Sequence, residues 1–508
     1  MSKPQSGESA LVEALKRGDV ALVTGVYGDP CTSLLDRMRA EGLRVEISVE
    51  EKTALSQALG ASAVGKRAVM AAKQVGINVA ADPLVTAATH GIGAGVLVIC
   101  GDDPGAAKSQ NEEDSRWYAK LTELPLIVPH DPQTLAAGAV EGLQLSEELG
   151  VPVLMQITGR LTRMTGPVEL PEPLGPAPAF RRERAWSRFI LERHKYHLQE
   201  VWPKLQAHVE GSKLHRAQKR ENAREGVISC GYASSLVEHE NHLVLGYAHP
   251  LPERLLVGFL EGLERVLIVE EIAPFVEEGV RALVGVHRLG VEVLGRLTGH
   301  LPRVGQLERE HVAAALAREP QGWNFDIKMQ LSDTLQTVPC GGFEPLYQAL
   351  AEVLPEGHPV AGDVGCSILH GYFPPQVVTT AYALGTSIGT AAGMSLSGGK
   401  GVALIGDTGF LHSGITGLLN AVEFGHNVLV IVLYNRISAM TPGEQDIRGI
   451  EKLKALIEAC GPTAIDEVDV DRASPEELKG LLEKRLEEQG VHVVIAKAQP
   501  RPFGMGIG

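Results

Sequence analysis

Short apolar segments alternate with longer amphipathic segments along most of the chain, and this alternation predicts strands separated by helices. Each apolar segment is four to seven residues long, as expected for a parallel-sheet strand that is buried on both faces. Because helical segments such as 135–149 lie between them, the sequence predicts an α/β protein built from doubly wound parallel sheets. The predicted strands are 20–26, 43–49, 68–72, 96–100, 151–157, 226–230, 265–269, 360–363, 402–405, 428–433 and 491–496.

Two interruptions divide this pattern into three regions. Residues 167–178 are rich in proline and predict a linker, whereas 181–224 contain 12 Lys and Arg against 5 Glu, which predicts a basic helical excursion. A solvated helix and a docking face for an acidic partner are both compatible with that charge. We therefore predict three α/β domains, at residues 1–166, 226–310 and 339–508, joined by residues 167–225 and by a connector at 311–338.

Composition and charge exclude several classes of protein. The 508 residues carry a formal net charge of -15, which argues against nonspecific binding to nucleic acid or to an anionic membrane. The amino-terminal segment lacks a basic start followed by an apolar run, and the longest apolar runs are of strand length, so we expect a cytoplasmic protein. None of the six cysteines lies in a CxxC pair, which argues against a zinc ribbon or clustered iron–sulfur ligands in this sequence.

The segment 402–441 contains the most informative chemistry. Gly406 and Asp407 follow one predicted strand, and Asn435 follows the next, 28 residues after Asp407. The carboxyl ends of neighbouring parallel strands meet at one edge of a sheet, where α/β proteins bind their ligands. A carboxylate and an amide oxygen at that edge suit Mg²⁺, which prefers a few protein oxygens together with those of a phosphate. Spacing alone leaves open an ordinary strand–helix–strand unit with a tight Gly-Asp turn.

Specific strings occur in several parts of the chain. They are EEKTALSQALGASAVGKRA (50–68), KQVGINVAADPL (73–84), SQNEEDSRWYAK (109–120), VLGRLTGHLPRVGQL (293–307), GDVGCSIL (362–369), ALGTSIGTAAGM (383–394), GDTGFLHSGITGLLNAV (406–422) and YNRISAMT (434–441). In content and order they resemble the thiamine diphosphate-dependent 2-oxoacid:ferredoxin oxidoreductase family, above all the catalytic alpha subunits of indolepyruvate ferredoxin oxidoreductases. The resemblance covers most of the chain.

The resemblance implies thiamine diphosphate and Mg²⁺ as cofactors. Asp407, Asn435 and the backbone carbonyl of Ile437 would be the protein ligands of the metal. For Cys366, which follows a glycine in a turn expected to face the cofactor, an inert packing role is the alternative. The residues that the resemblance places against the cofactor are Gly406, Asp407, Thr408, Gly385, Ser387, His412, Ser413, Cys366 and Asn435.

Glu51 is the predicted catalytic residue. Thiamine is activated when a buried carboxyl hydrogen-bonds to its aminopyrimidine ring, and enzymes of this type place that Glu at the start of a helix with a glycine nine residues later. Glu51 and Gly60 match this spacing, although the adjacent Glu50 could take the role instead. A helix amino terminus also favours a carboxylate for purely electrostatic reasons, which is the alternative for Glu51.

Because Glu51 and Asp407 lie in different predicted domains, the cofactor would bind between two of them. By resemblance, residues 1–166 form a pyrimidine-binding domain, 226–310 a transketolase-C-like domain and 339–508 a diphosphate- and metal-binding domain. In similar enzymes the two cofactor-binding domains come from different protomers. The resemblance therefore implies a homodimer, or a heteromer with a small beta subunit or an iron–sulfur or ferredoxin partner.

The sequence departs from the family on the substrate and electron-exit side. Relatives read TGYPGTP where this chain has TGVYGDP, so Asp29 replaces a threonine that contacts substrate, and Gln74 replaces a histidine. The two cysteine clusters of a carboxyl-terminal extension have no counterpart here, so we expect no iron–sulfur cluster in this chain. The resemblance implies oxidative decarboxylation of a 2-oxoacid, an arylpyruvate such as indolepyruvate, to an acyl-CoA, with electrons passed to an iron–sulfur partner. Non-oxidative decarboxylation or carboligation with the same cofactor is the alternative.

Overall fold

The computed structural model of the protein describes residues 3–178, 190–322, 341–437 and 449–501, with the backbone alone for Lys3, Ile190 and Cys366. The chain forms two compact units, Met1–Met329 and Gln330–Gly508. Both are α/β, with helices packed on mainly parallel sheets, which confirms the predicted fold class. Among the helices within these ranges, none combines the length and the hydropathy that crossing a membrane requires.

The larger sheet of the first unit has seven strands, of which Tyr247–His249 runs antiparallel to its neighbour. The strand order reverses beside Leu22–Gly25, because Val45–Ile47 lies on one side of it and Ala68–Lys73 on the other. Such a reversal opens a crevice outside the carboxyl ends of the strands. From edge to edge the strands are Tyr247–His249, Leu126–Ile127, Val153–Thr158, Val96–Asp102, Ala68–Lys73, Leu22–Gly25 and Val45–Ile47.

The helices around this sheet begin and end at local sequence signals. In Pro132–Leu149, the Asp131 side chain accepts the N–H of Thr134 at 2.7 Å, and Pro132 occupies the first turn, where a missing N–H costs little. Gly150 ends this helix in the left-handed conformation that glycine adopts most easily. The helices are Gly7–Arg17, Cys31–Ala40, Glu51–Ala63, Gln74–His90, Trp117–Thr122, Pro132–Leu149 and Gly159–Arg163, and the strands Lys3–Ser6 and Thr165–Val168 form a separate antiparallel pair.

The smaller sheet of the first unit has five strands, of which the edge strand Arg216–Gln218 is antiparallel. The sequence predicts only two of them, 226–230 and 265–269, since the others are three or four residues long and too short for a periodic signal. From edge to edge the strands are Glu292–Leu294, Arg265–Val269, Glu225–Cys230, His242–Leu245 and Arg216–Gln218. The accompanying helices are Glu253–Leu260, Phe275–His287 and Arg309–Leu316, with a 3-10 turn at Gly231–Leu236.

Within the described residues 190–224, the basic segment is helical as far as Gly211 and extended further on. Its helices Ile190–Tyr196 and Trp202–Gly211 are joined by a π-helical turn, His197–Val201. The chain then becomes extended and adds Arg216–Gln218 to the smaller sheet. An edge strand tolerates charged side chains because one side of it faces solvent. Residues 179–189 lie outside the described part of the chain.

The second unit contains a five-stranded sheet that is parallel throughout. The sequence predicts four of these strands and misses Ala464–Asp469, because its sequence AIDEVD carries acidic residues on a partly exposed edge. From edge to edge the strands are Val360–Ala361, Gly401–Gly406, Val428–Tyr434, Val491–Lys497 and Ala464–Asp469. The helical elements within the described residues are Glu344–Val353, Cys366–Gly371, Ser387–Met394, Ser395–Ser397, Asp407–Gly409, Phe410–Gly414, Ile415–Glu423, Ile450–Lys452, Leu453–Cys460 and Pro475–Glu487.

Successive residues of the strand Gly401–Gly406 pack on opposite faces of this sheet. Ala403 and Ile405 belong to one buried cluster, whereas Val402 and Leu404 belong to the other. Because helices cover both faces, all four side chains are fully buried. This is why the central strands read as continuous apolar runs rather than as alternating patterns.

Candidate functional site

The polar residues of the segment 402–441 meet at the carboxyl edge of the second unit's sheet. The strand Gly401–Gly406 pairs in parallel with Val428–Tyr434. Asp407 and Asn435 therefore follow at the same edge, and the backbone N–H of Asn435 donates to Asp407 Oδ2 at 3.1 Å. The structure places side by side the two residues that the sequence relates by spacing.

Asp407 is a buried carboxylate held by neutral donors. The residue is 1% exposed; Oδ2 also accepts the N–H of Arg436 at 2.7 Å, and Oδ1 accepts the N–H of Thr408 at 2.7 Å. The Arg436 guanidinium pairs with Glu451 instead. Burial raises the pKa of Asp407 to about 6, although these N–H groups oppose the shift. A carboxylate desolvated in this way would be stabilised by a bound cation.

Further oxygen atoms beside Asp407 complete a donor set that fits Mg²⁺. Asn435 Oδ1 accepts the N–H of Ile437 at 3.1 Å, which fixes the amide group close to the Ile437 backbone. A side chain at Gly406 would meet nothing within 4 Å, so the chain there is open to an approaching group. Carboxylate, amide and carbonyl oxygens are hard ligands of the kind that Mg²⁺ combines with phosphate oxygens. These residues therefore fit a metal-bound diphosphate.

A glycine turn packs against the helix that starts at Asp407. Gly385 has φ +82°, and a side chain there would collide with the Ser413 hydroxyl. That hydroxyl donates to the Leu384 carbonyl at 3.0 Å and lies 3.0 Å from His412 Nδ1. Ser387, two residues after Gly385, is fully buried and begins the helix Ser387–Met394. The structure thus brings Gly385, His412 and Ser413 into contact, with Ser387 beside them.

Asp363 is a residue of this edge to which the sequence reasoning assigned no role. It lies in the string GDVG just after the strand Val360–Ala361, and its oxygens accept the N–H groups of Gly385 and Ser387. The available signal is a Gly-Asp pair at the end of a predicted strand, similar to the pair Gly406–Asp407 that follows the next one.

Two predictions of the sequence fall outside what the structure describes. Cys366 begins the 3-10 turn Cys366–Gly371, but its side chain is not among the described atoms. The string YNRISAMT is described only as far as Ile437. The role of Cys366 therefore stays a prediction.

In the first unit, Glu50 and Glu51 have different environments. Glu50 caps the helix Glu51–Ala63, since its Oε1 accepts the N–H of Thr53 at 2.8 Å. Glu51 is 7% exposed, and its carboxyl packs so closely on Gly76 that any side chain there would collide with it. Capping by Glu50 and burial of Glu51 favour Glu51 as the residue that faces an enclosed ligand.

Gly60, nine residues after Glu51, lies on the exposed face of the same helix. Nothing lies within 4 Å of the position that a side chain would take, so this chain by itself imposes no need for glycine there. The support for Glu51 thus comes from its burial against Gly76 rather than from the Glu-to-Gly spacing.

Charged residues surround the crevice where the strand order of the first unit reverses. Lys73 ends the strand Ala68–Lys73 and donates to the carbonyl of Lys108. Burial lowers the pKa of Lys73, while the nearby carboxylates of Asp103 and Asp29 oppose this shift. Lys108 Nζ in turn lies 3.2 Å from Asp29 Oδ1. Asp29, which stands where relatives have a threonine, therefore belongs to a group of charges that neutralise one another.

A buried ion network joins the two sheets of the first unit. Arg116 donates to Asp114 Oδ2 at 2.6 Å and to Glu270 Oε2 at 2.7 Å, and the three side chains are at most 2% exposed. Nearby, Glu112 accepts the N–H of Gly305 at 2.9 Å. The strings 109–120 and 293–307 thus contact each other through Glu112 and Gly305.

Two models of thiamine pyrophosphate enzymes match the chain. The N-terminal TPP binding domain matches residues 5–120, and the C-terminal TPP binding domain matches residues 363–496. Glu51 lies in the first match, and Asp363, Asp407 and Asn435 lie in the second.

Curated relatives match over nearly the whole chain. The indolepyruvate oxidoreductase subunit IorA of Methanothermobacter thermautotrophicus is 31% identical over 97% of this chain and 85% of its own length. That of Archaeoglobus fulgidus is 31% identical over 94% of this chain and 81% of its own length. The structure of 2-oxoglutarate:ferredoxin oxidoreductase from Magnetococcus marinus aligns with TM-score 0.50 and 14% identity, over 63% of this chain and 65% of that one. At this identity, the last likeness concerns the fold alone.

Proposed function

This chain belongs to the thiamine pyrophosphate enzyme family of the indolepyruvate oxidoreductase IorA subunits, and we propose that it oxidatively decarboxylates a 2-oxoacid to an acyl-CoA. In this reaction a 2-oxoacid and CoA give acyl-CoA, CO₂ and a proton, and two electrons pass to two one-electron acceptors. The cofactors would be thiamine diphosphate and Mg²⁺. When bound, the thiazolium ring supplies the electron sink for loss of CO₂.

The proposal rests above all on the contact between Asp407 and Asn435 at the carboxyl edge of the sheet. A buried carboxylate, an amide oxygen and an open glycine backbone meet there, and these groups suit a metal-bound diphosphate. Asp407, Asn435 and the Ile437 carbonyl would hold the metal. The turn at Gly385 and the side chains of its neighbours would border the phosphates.

Glu51 is the residue we assign to cofactor activation. Its buried carboxyl at the start of the helix Glu51–Ala63 would bind the aminopyrimidine ring and hold the proton there. Its neighbour Glu50 is engaged by the N–H groups of the same helix. Glu51 lies in the first unit of the chain, and Asp407 lies in the second.

The substrate class and the partner follow from the relatives. Those relatives are named as subunits of indolepyruvate oxidoreductase, so an arylpyruvate such as indolepyruvate is the substrate we propose. We propose that this chain is likewise a subunit of an assembly, either a homodimer or a complex with a further subunit. An iron–sulfur protein would receive the electrons. One-electron carriers must come close to the cofactor, because electrons do not transfer over long distances without them.

The test combines purified protein, thiamine diphosphate, Mg²⁺, CoA and a panel of 2-oxoacids with labelled carboxyl carbon. We expect CO₂ release that depends on an added one-electron acceptor, an acyl-CoA product and a preference for arylpyruvates. Aldehyde formation without any acceptor would replace the oxidative assignment by non-oxidative decarboxylation or carboligation. Failure of every 2-oxoacid in the presence of bound cofactor would refute the proposal. The Asp407→Ala variant is the control for turnover that is not due to this site.

A further inference from the structure

Asp363 lies where three of the family-like strings of the second unit meet. It follows the strand Val360–Ala361, the edge strand beside Gly401–Gly406, and it is 1% exposed. Its carboxylate accepts the backbone N–H groups of Gly385 and Ser387, and among the described residues no Lys or Arg forms an ion pair with it. Such a carboxylate is costly to bury, and burial raises the pKa of Asp363 to about 6.

Each carboxylate oxygen holds one N–H group of the glycine turn. Oδ1 accepts the N–H of Gly385 at 2.7 Å, and Oδ2 accepts the N–H of Ser387 at 3.1 Å. Gly385 has a positive φ, and Ser387 is the first residue of the helix Ser387–Met394, so its N–H has no partner within that helix. Asp363 therefore fixes the turn and caps the helix from outside the segment.

The same carboxylate touches the helix that carries the metal ligand. A side chain at Gly409 would lie 2.8 Å from Asp363 Oδ1, so the first turn after Asp407 packs directly against it. Gly409 also contributes a carbonyl oxygen that a side chain at Gly385 would meet at 2.9 Å. The turn at 385–387 and the helix start at 407–409 are thus held in register around one buried side chain.

From this geometry we infer that Asp363 is a positioning residue for diphosphate binding. It acts through Gly385 and Ser387, whose backbone it holds beside the helix start at Asp407, and it has no direct contact with the diphosphate in this role. The inference rests on the proposed function, since it takes the second unit to bind thiamine diphosphate. It explains why GDVG, ALGTSIG and GDTGF occur together, because each string supplies one part of this contact.

The decisive variant is Asp363→Asn, which keeps the size of the side chain but loses one acceptor. We expect at least a tenfold rise in the Kd for thiamine diphosphate with Mg²⁺ by calorimetry, which corresponds to about 1.4 kcal/mol. We also expect faster hydrogen exchange at residues 383–387 in the protein without cofactor. The matched control is Asp466→Asn, which removes a carboxylate paired with Arg485 in the same sheet, and it should leave both readouts unchanged.

A second perturbation leaves Asp363 in place. Gly409→Ala introduces a methyl group against Oδ1 and should weaken cofactor binding in the same direction, so it carries the test if Asp363→Asn fails to fold. A Kd within twofold of wild type in either folded variant, or unchanged exchange at 383–387 in Asp363→Asn, would overturn the inference. If wild-type protein binds no thiamine diphosphate, the proposed function fails by itself, whereas the exchange measurement still reports whether Asp363 holds the turn.

Discussion

Acidic side chains near the binding edges of the two units are neutralised in different ways. In the second unit, Asp363 and Asp407 accept hydrogen bonds from backbone N–H groups. In the first unit, Asp114 pairs with the Arg116 guanidinium, and Asp29 with the Lys108 ammonium. Asp363 and Asp407 of the second unit thus have no cationic partner among the described residues, whereas Asp29 and Asp114 of the first unit are already paired with cations.

This difference separates binding from packing. The charge of a carboxylate held only by neutral donors is poorly compensated, so a bound metal ion stabilises it strongly. A carboxylate paired with an arginine in the interior gains little from a further cation and serves to fix two elements against each other. The second arrangement occurs where the two sheets of the first unit meet.

Asp407→Ala should have the largest effect on cofactor binding. Removing the only carboxylate among the three proposed metal ligands should weaken binding of thiamine diphosphate in the presence of Mg²⁺ by more than a hundredfold, about 2.7 kcal/mol. Calorimetry with Mg²⁺ and with a chelator measures this. In wild-type protein the chelator should abolish most of the affinity, and in the variant it should change little. Equal affinities of the two proteins would contradict the metal assignment.

Glu51→Gln should lower kcat by at least a hundredfold, so that turnover is practically abolished, while the cofactor stays bound. The reason is that the amide keeps the size of the carboxyl but cannot hold the required proton. Steady-state kinetics and calorimetry on the same preparation separate the two effects. The matched control is Glu50→Gln, one residue away on the helix cap, which should retain turnover. Loss of activity in Glu50→Gln with normal activity in Glu51→Gln would reverse the assignment.

Features that depend on local sequence could be predicted, whereas contacts between residues far apart in the sequence could not. The fold class and the main buried strands are predictable, because apolar runs such as 428–433 have one physical meaning in a two-faced sheet. The pairing of Asp407 with Asn435 is also local, since consecutive parallel strands bring them to one edge. Arg116 and Glu270 lie 154 residues apart, and no local pattern connects them. The short strands, such as Leu126–Ile127, depend on neighbours that the sequence does not identify.

Arg116→Leu should destabilise the first unit by about 3–5 kcal/mol, because Asp114 and Glu270 would be left buried without their cation. Denaturant unfolding followed by fluorescence measures the change. The control is Arg224→Leu, which removes an exposed pair with Glu264 and should cost less than about 1 kcal/mol. If Arg116 only stabilises the fold, the folded Arg116→Leu protein should bind the cofactor with the same affinity as wild type.

The smallest expected effect concerns Asp102. This residue tests how the first unit holds a buried carboxyl group that has few hydrogen-bond partners. Gln156 Nε2 donates to its Oδ2 at 2.5 Å, as does the N–H of Ser115 at 3.1 Å. Burial, together with the nearby Asp114 carboxylate, raises the pKa of Asp102 from 3.8 to about 7. The folded state therefore holds a proton that the unfolded state has lost, and this contribution to stability falls as pH rises from about 4 to about 7.

Asn at position 102 does not titrate, so the stability of the Asp102→Asn variant should depend less on pH than that of wild type. Between pH 6 and pH 7, wild-type protein should lose about 1 kcal/mol more than the variant. Urea unfolding midpoints at several pH values measure the difference, with the slopes of the transitions compared to exclude a change in the unfolded state. Identical pH profiles would mean that Asp102 is ionised in the folded protein. The interior of the first unit would then stabilise the Asp102 carboxylate as it does that of Asp114, and the contrast between the units would include Asp102 as well.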